Sequence, residues 1–184
     1  LGVSAGFHDA ALTVLHNHKI QFAGHSERSS KKKNDSSISI SLQQQAIKYG
    51  PFDKIVYYEK PHLRQLRKLR SGESWGGAWT VQTELKQTIP FIMEHTTAKI
   101  SSVGHHLSHA AAGFQTSPFD DATVVVIDAI GESDTISIYH AYYNGACLAG
   151  EHAKANYKLL YRQTYPHSIG MFYSAVTQRC NLKP

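Results

Sequence analysis

The sequence predicts an α/β fold in two parts, a first subdomain over residues 1–120 and the start of a second over 121–184. Three observations predict it. Strand-like apolar runs open the chain in quick succession, and helical and strand-like patterns then alternate up to residue 114. After a polar break a β-branched run begins afresh, Thr123-Val124-Val125-Val126-Ile127.

Residues 1–5, 11–15 and 20–24 read as three strands joined by short polar turns, one of them Asn17-His18, which makes a β-meander. A polar, basic stretch follows over 27–37. Ser41-Leu42-Gln43-Gln44 then has the spacing of a capping box, ahead of a helix ended by Gly50-Pro51. A short strand is expected over 54–58. Leucines at 63, 66 and 69, with Arg64, Arg67 and Lys68 between them, give helical spacing and a solvated basic outer face. A loop containing Gly72, Trp75, Gly76 and Gly77 ends that helix. A longer amphipathic helix spans 81–94, in which Pro90 is a kink or a boundary. A strand over 99–103 runs into an alanine-rich helix over 107–114. In the second part the unbroken apolar run 123–127 is of the kind that makes a fully buried strand. Strands over 135–142 and near 147–151 follow, joined by an Asn144-Gly145 hairpin turn. A last helix over 168–179 starts with Ser168 as its cap. This order of elements fits α/β subdomains of the ribonuclease-H-like sort.

Composition narrows the function. A chain of 184 residues with 41% hydrophobic residues can bury a real core. No apolar run approaches the roughly 18 to 20 residues that cross a bilayer, and the N-terminus has no signal-peptide order, so a cytoplasmic location is expected. Cys147 and Cys180 lie too far apart for a thiolate metal motif and are expected as free thiols. A net charge of +5 suits either nucleic acid or phosphorylated small molecules. The basic helix around Arg64 lacks interleaved aromatics for stacking bases, which disfavours nucleic acid. The chain starts without methionine, inside a strand-like pattern, which suggests a fragment of a longer protein.

The sharpest local feature is Gly104-His105-His106-Leu107-Ser108-His109-Ala110, where a strand end meets a helix. Histidines four apart on a helix share one face and can grip one divalent ion. Asp128 ends the run 123–127, from which a carboxylate can enter a cleft. Two imidazoles and a carboxylate suit zinc or iron with open positions for a ligand. On spacing alone such histidines are equally compatible with helix caps or core polar residues.

Further blocks extend along the chain. They are Gly2-Val3-Ser4-Ala5 with His8-Asp9-Ala10-Ala11; Glu27-Arg28 followed by Lys32-Lys33; Tyr58-Glu59-Lys60-Pro61; the histidine segment through Ala111; Ser117-Pro118-Phe119; Asp128 through Glu132; and Pro166-His167-Ser168-Ile169-Gly170 with Tyr173-Ser174-Ala175. In this order they resemble the O-carbamoyltransferase family of nodulation and antibiotic-tailoring enzymes, N-terminal part. The resemblance implies an actin-like, sugar-kinase-like fold of two ribonuclease-H-like subdomains, related to the tRNA threonylcarbamoyl transferases. It implies that carbamoyl phosphate and ATP are joined into carbamoyl-adenylate by a C-terminal adenylating domain, and that the N-terminal domain passes the carbamoyl group to a small-molecule hydroxyl. It implies a divalent metal, iron or zinc, on His105, His109 and Asp128, with a further aspartate beyond residue 184. It also gives His8 as general base or orienter of the acceptor, although a turn histidine is the plain alternative, and Lys33 as the cation for the departing phosphate. Gly131 and Thr135 fall at the turn that would face nucleotide phosphates.

The chain departs from the family pattern at Ala129, where glycine is usual, and at Ser133, Asn34 and Ser29. An alanine held at positive φ would strain that turn. A tRNA-modifying threonylcarbamoyl transferase is the alternative enzyme, disfavoured because no acidic residue stands between His105 and His109. A basic nucleic-acid-binding module is the non-enzymatic one. As it stands the chain is expected to be inactive alone and, with an incomplete second subdomain, prone to self-associate.

Overall fold

The computed structural model describes residues 1–73, 76–144 and 154–183. The chain forms two compact units, Leu1–Val103 and Gly104–Pro184, both mixed α/β. Among the described residues no helix is long and apolar enough to cross a membrane.

The first unit holds a five-stranded sheet in the order β3-β2-β1-β4-β5. Strands β1 (Gly2–Ser4), β2 (Ala11–His16) and β3 (Lys19–His25) form the antiparallel meander expected from the sequence. Asn17 and His18 both have positive φ, 47° and 61°, which matches the twist of a two-residue hairpin turn. Strands β4 (Lys54–Tyr57) and β5 (Lys99–Ser102) add in parallel. Val3, Leu12, Val14, Ile55 and Tyr57 bury one face of the sheet against Leu42, Leu85, Ile89 and Ile92.

Those last side chains come from α2 (Ile40–Ile47), α4 (Val81–Thr88), α5 (Pro90–Glu94) and, for Ile89, the residue that joins α4 to α5. The cap of α2 is Ser39, whose Oγ accepts from Leu42 N at 3.2 Å, so Ser41 lies inside the helix rather than at its start. The backbone at Ser39 is extended and frees its hydroxyl for this; Ser41 is already helical. Pro90 is a boundary: Ile89 before it is driven out of the helical region, and two short helices replace one long one. The stretch 27–37, expected as irregular, contains a single helical turn, α1 (Ser26–Ser30). Helix α3 (Pro61–Arg70) starts on Pro61, at a position where a missing N–H costs nothing. Its outer face is not wholly solvated. Arg64 is largely buried between Glu59 and Glu84, and the Tyr57 hydroxyl donates to Ala5 O at 2.6 Å and Glu84 Oε1 at 3.2 Å.

The second unit is an antiparallel sheet of β6 (Asp121–Gly131), β7 (Asp134–Tyr143) and β8 (Ala155–Thr164). Helix α6 (His105–Gln115), which sequence grouped with the first part, packs on β6 and β7, with Leu107 and Ala110 against Val124, Val126 and Tyr139. The run 123–127 is therefore not buried on both faces: Val126 is 7% exposed, but Val125 and Ile127 are 54% and 57%. Only one side of β6 has α6 beneath it, and the strand alternates. Helix α7 (Ile169–Arg179) lies against β6 and is capped as expected, Ser168 Oγ accepting from Met171 N at 3.0 Å. Strand β8 was not foreseen. The Asn144-Gly145 turn, the strand near 147–151 and Trp75 fall wholly or partly outside the described residues.

The β6–β7 pairing is interrupted once. Ile127 faces Ile136 and Gly131 faces Asp134, so residues 128–130 of β6 stand opposite Thr135 alone. Such an excursion re-aims side chains, and the first residue in it is Asp128.

Candidate metal centre

Helix α6 begins at His105, two residues earlier than the alanine pattern suggests, so both histidines lie on helical backbone one turn apart. The β6 excursion carries Asp128 to them. His105 Nε2 is 3.0 Å from Asp128 Oδ2 and 3.0 Å from His109 Nε2, and His109 Nε2 is 3.9 Å from the same carboxylate oxygen. The second carboxylate oxygen accepts from Ala129 N at 2.6 Å, which fixes the group's rotation.

These three are the cluster of convergent ligand atoms found among the described residues, all within 4.8 Å of one another. Donors at about 2.0–2.2 Å from a shared ion lie roughly 3.0–3.5 Å apart, so the spacing fits a divalent cation with small adjustment. Proton chemistry fits less well: His105 Nε2 has two partners at 3.0 Å and at most one hydrogen to offer. The hydrogen bond from His105, together with its charge, lowers the Asp128 carboxyl to about 2 against the opposing effect of burial. Burial and the neighbouring His105 push His109 down. A ready carboxylate and an imidazole that resists protonation are what a ligand set needs.

The intervening His106 is a core residue, 2% exposed, with Nδ1 2.8 Å from Ser137 Oγ and its protonation disfavoured first by burial. Gly131 lies directly under the pair: a Cβ there would stand 2.4 Å from His105 Cδ2 and 2.9 Å from His106 Cδ2. Thr135 is fully buried, and its hydroxyl donates to His167 O at 2.5 Å, with Gln163 O at 3.3 Å. The feared strain at Ala129 does not arise, since the positive φ in this segment belongs to Glu132, at 58°.

His8 and Lys33 belong to the first unit. His8 is exposed in the β1–β2 turn, its Nδ1 2.8 Å from Asp9 Oδ2. Lys33 is exposed in a turn held by Glu27, whose carboxylate accepts the Asn34 N–H. Sequence reasoning missed the contact of Gly131 with the ligand ring and the buried Arg64 cluster. Neither has a local signal, because both distances are set between elements.

The chain matches the family model for the carbamoyltransferase N-terminus over residues 66–184, a stretch that contains His105, His109 and Asp128. It is also similar to an uncharacterized protein, sll1178, of Synechocystis sp. (strain ATCC 27184 / PCC 6803 / Kazusa), 31% identical over 207 aligned positions. That alignment takes in 100% of this chain and 32% of the relative, so the chain spans about a third of that protein's length. With nearly two thirds of its residues inside the family model, and with its histidine–aspartate cluster in that region, the chain belongs to the carbamoyltransferase family, as its N-terminal part.

Proposed function

We propose that this chain serves an O-carbamoyltransferase, passing a carbamoyl group from carbamoyl-adenylate to the hydroxyl of a small molecule such as a sugar or an antibiotic, with iron or zinc held by His105, His109 and Asp128. The observation that carries the reading is the convergence of two imidazole nitrogens and a strongly acidic carboxylate in a member of the carbamoyltransferase family. The first unit's mixed sheet, three antiparallel strands extended by two parallel ones, supports an actin-like fold of ribonuclease-H-like subdomains. Carbamoyl phosphate and ATP are the co-substrates from which an adenylating domain makes the donor.

A bound divalent ion supplies positive charge for the developing oxyanion and the departing phosphate. The chain's own residues do the rest. Asp9, bonded to His8 Nδ1, keeps that nitrogen protonated and leaves Nε2 to accept a proton. As the acceptor oxygen bonds to the carbamoyl carbon, the carbon–oxygen bond to AMP breaks and the hydroxyl proton passes to His8. Lys33 offers an ammonium to the phosphate, on a turn that Glu27 holds in shape. By the resemblance Gly131 belongs to the turn that faces the nucleotide phosphates, and since the Thr135 hydroxyl is already donated, contact at that turn would fall to backbone N–H groups.

The test is elemental analysis of the dialysed chain after exposure to iron and to zinc, alongside the His105→Ala, His109→Ala double variant. About one metal per chain in the wild type, lost in the variant, supports the reading. A wild type that retains neither metal removes the metal from it.

A further inference from the structure

Asp128 sits in the β6 excursion, where the β6–β7 register gives it no paired residue among those described. Something else must hold that peptide, and the observed contacts come from the start of α7. Ser168 Oγ donates to Ala129 O at 2.7 Å, with Asp128 O at 3.2 Å, while accepting from Met171 N at 3.0 Å. One hydroxyl thus caps a helix and clamps the excursion. Two residues on, Gly170 permits the approach: a Cβ there would lie 2.7 Å from both Ala129 Cα and Ala129 N, and 2.9 Å from Asp128 C. The 167–168 segment is itself anchored, because His167 O receives the Thr135 hydroxyl at 2.5 Å and Gln163 Nε2 at 3.0 Å.

We infer that Ser168 is a positioning residue for the metal centre, holding the main chain of residues 128 and 129 so that the Asp128 carboxylate faces His105, with Gly170 as the seat that lets it do so. This rests on the reading of Asp128 as a ligand. Capping alone predicts a different pattern of variants from clamping. Glycine is nearly as good a helix cap as serine, whereas alanine is a distinctly poorer one. Neither has a hydroxyl to donate; threonine has.

The experiment titrates cobalt(II) alone into the 184-residue chain, following its visible absorption, for wild type and the Ser168→Ala, Ser168→Gly and Ser168→Thr variants. The Ala129 amide proton, bonded to Asp128 Oδ1 at 2.6 Å, is followed by NMR in the metal-free chains as a report of carboxylate position. Alanine and glycine variants should weaken cobalt binding alike, by about 10- to 100-fold, and shift the Ala129 amide, while threonine restores both. A glycine variant with wild-type cobalt affinity and an unmoved Ala129 amide overturns the inference. If the wild type takes up no cobalt, the ligand reading fails, and the amide shift alone decides whether Ser168 sets the carboxylate.

Discussion

Replacing Gly131 with alanine puts a methyl group 2.4 Å from His105 Cδ2, 2.8 Å from His105 Cγ and 2.9 Å from His106 Cδ2. Carbon atoms rest comfortably about 3.5–4.0 Å apart, so the His105 ring must retreat by about 1 Å. It has little room, its side chain being only 14% exposed, and overpacking of this kind costs roughly 1–3 kcal/mol. The same retreat carries Nε2 away from Asp128 and His109, whereas a functional constellation tolerates about 0.5 Å. Gly131→Ala should therefore lower both the urea midpoint of the metal-free chain and its zinc affinity, the latter by at least about 10-fold in a competition titration. The double variant Gly131→Ala, His105→Ala isolates the cause, since without the ring the added methyl should destabilise the metal-free chain much less than it does in the wild-type background. Equal destabilisation in both backgrounds, or a single variant with unchanged midpoint and zinc affinity, would refute the steric argument.

Other perturbations test separate parts of the structure. Arg64→Ala removes the cation between Glu59 and Glu84, which are 4% and 5% exposed, and should cost the first unit about 3–5 kcal/mol in chemical unfolding. Thr135→Val removes one of the two donors to His167 O and should cost about 0.5–1.5 kcal/mol, read as a lower midpoint without metal. Below neutrality the shifted groups of the metal-free second unit act with one sign. His106 and His109 are held below 6.5, so the unfolded chain binds more protons and stability falls as pH drops through that value. Asp128, lowered from 3.8 to about 2, adds a further loss of about 2 kcal/mol as pH falls from about 4 to 2. A fluorescence-monitored acid titration that is flat from pH 7 to 4 would contradict the histidine assignment. Chelation of the metal-loaded chain should lower its melting temperature, and more so at higher initial metal concentration.

Much of the fold was legible because it is written in local patterns. The meander follows from alternation and the Asn17-His18 turn, and the last helix from Ser168. The spacing of His105 and His109 marked two imidazoles that share a helix face, and Asp128 was singled out with them, though as the end of a strand that in fact runs on to Gly131. Failures came where a neighbouring element decides the outcome. Val125 and Ile127 are as apolar as Val124 and Val126, and only the one-sided packing of α6 separates exposed from buried. Ser39 and Ser41 both have cap chemistry; backbone conformation picked Ser39. Arg64 looked like one more surface cation of a basic helix, since the carboxylates that enclose it come from the end of β4 and from α4. Gly131 was read as part of a turn facing nucleotide phosphates, yet what requires glycine there is the ring packed against it.

The interruption of β6 has an arithmetic of its own. Between the pairs Ile127–Ile136 and Gly131–Asp134, β6 uses three residues where β7 uses one, an excess of two. Side chains alternate with period two, so an even excess leaves both flanks of the strand in phase, whereas an odd one would turn one flank inside out. The segment bearing Asp128 is in effect an insert spliced into a continuous strand. Shortening it by two residues should spare the sheet and remove the ligand; shortening it by one should damage the fold itself.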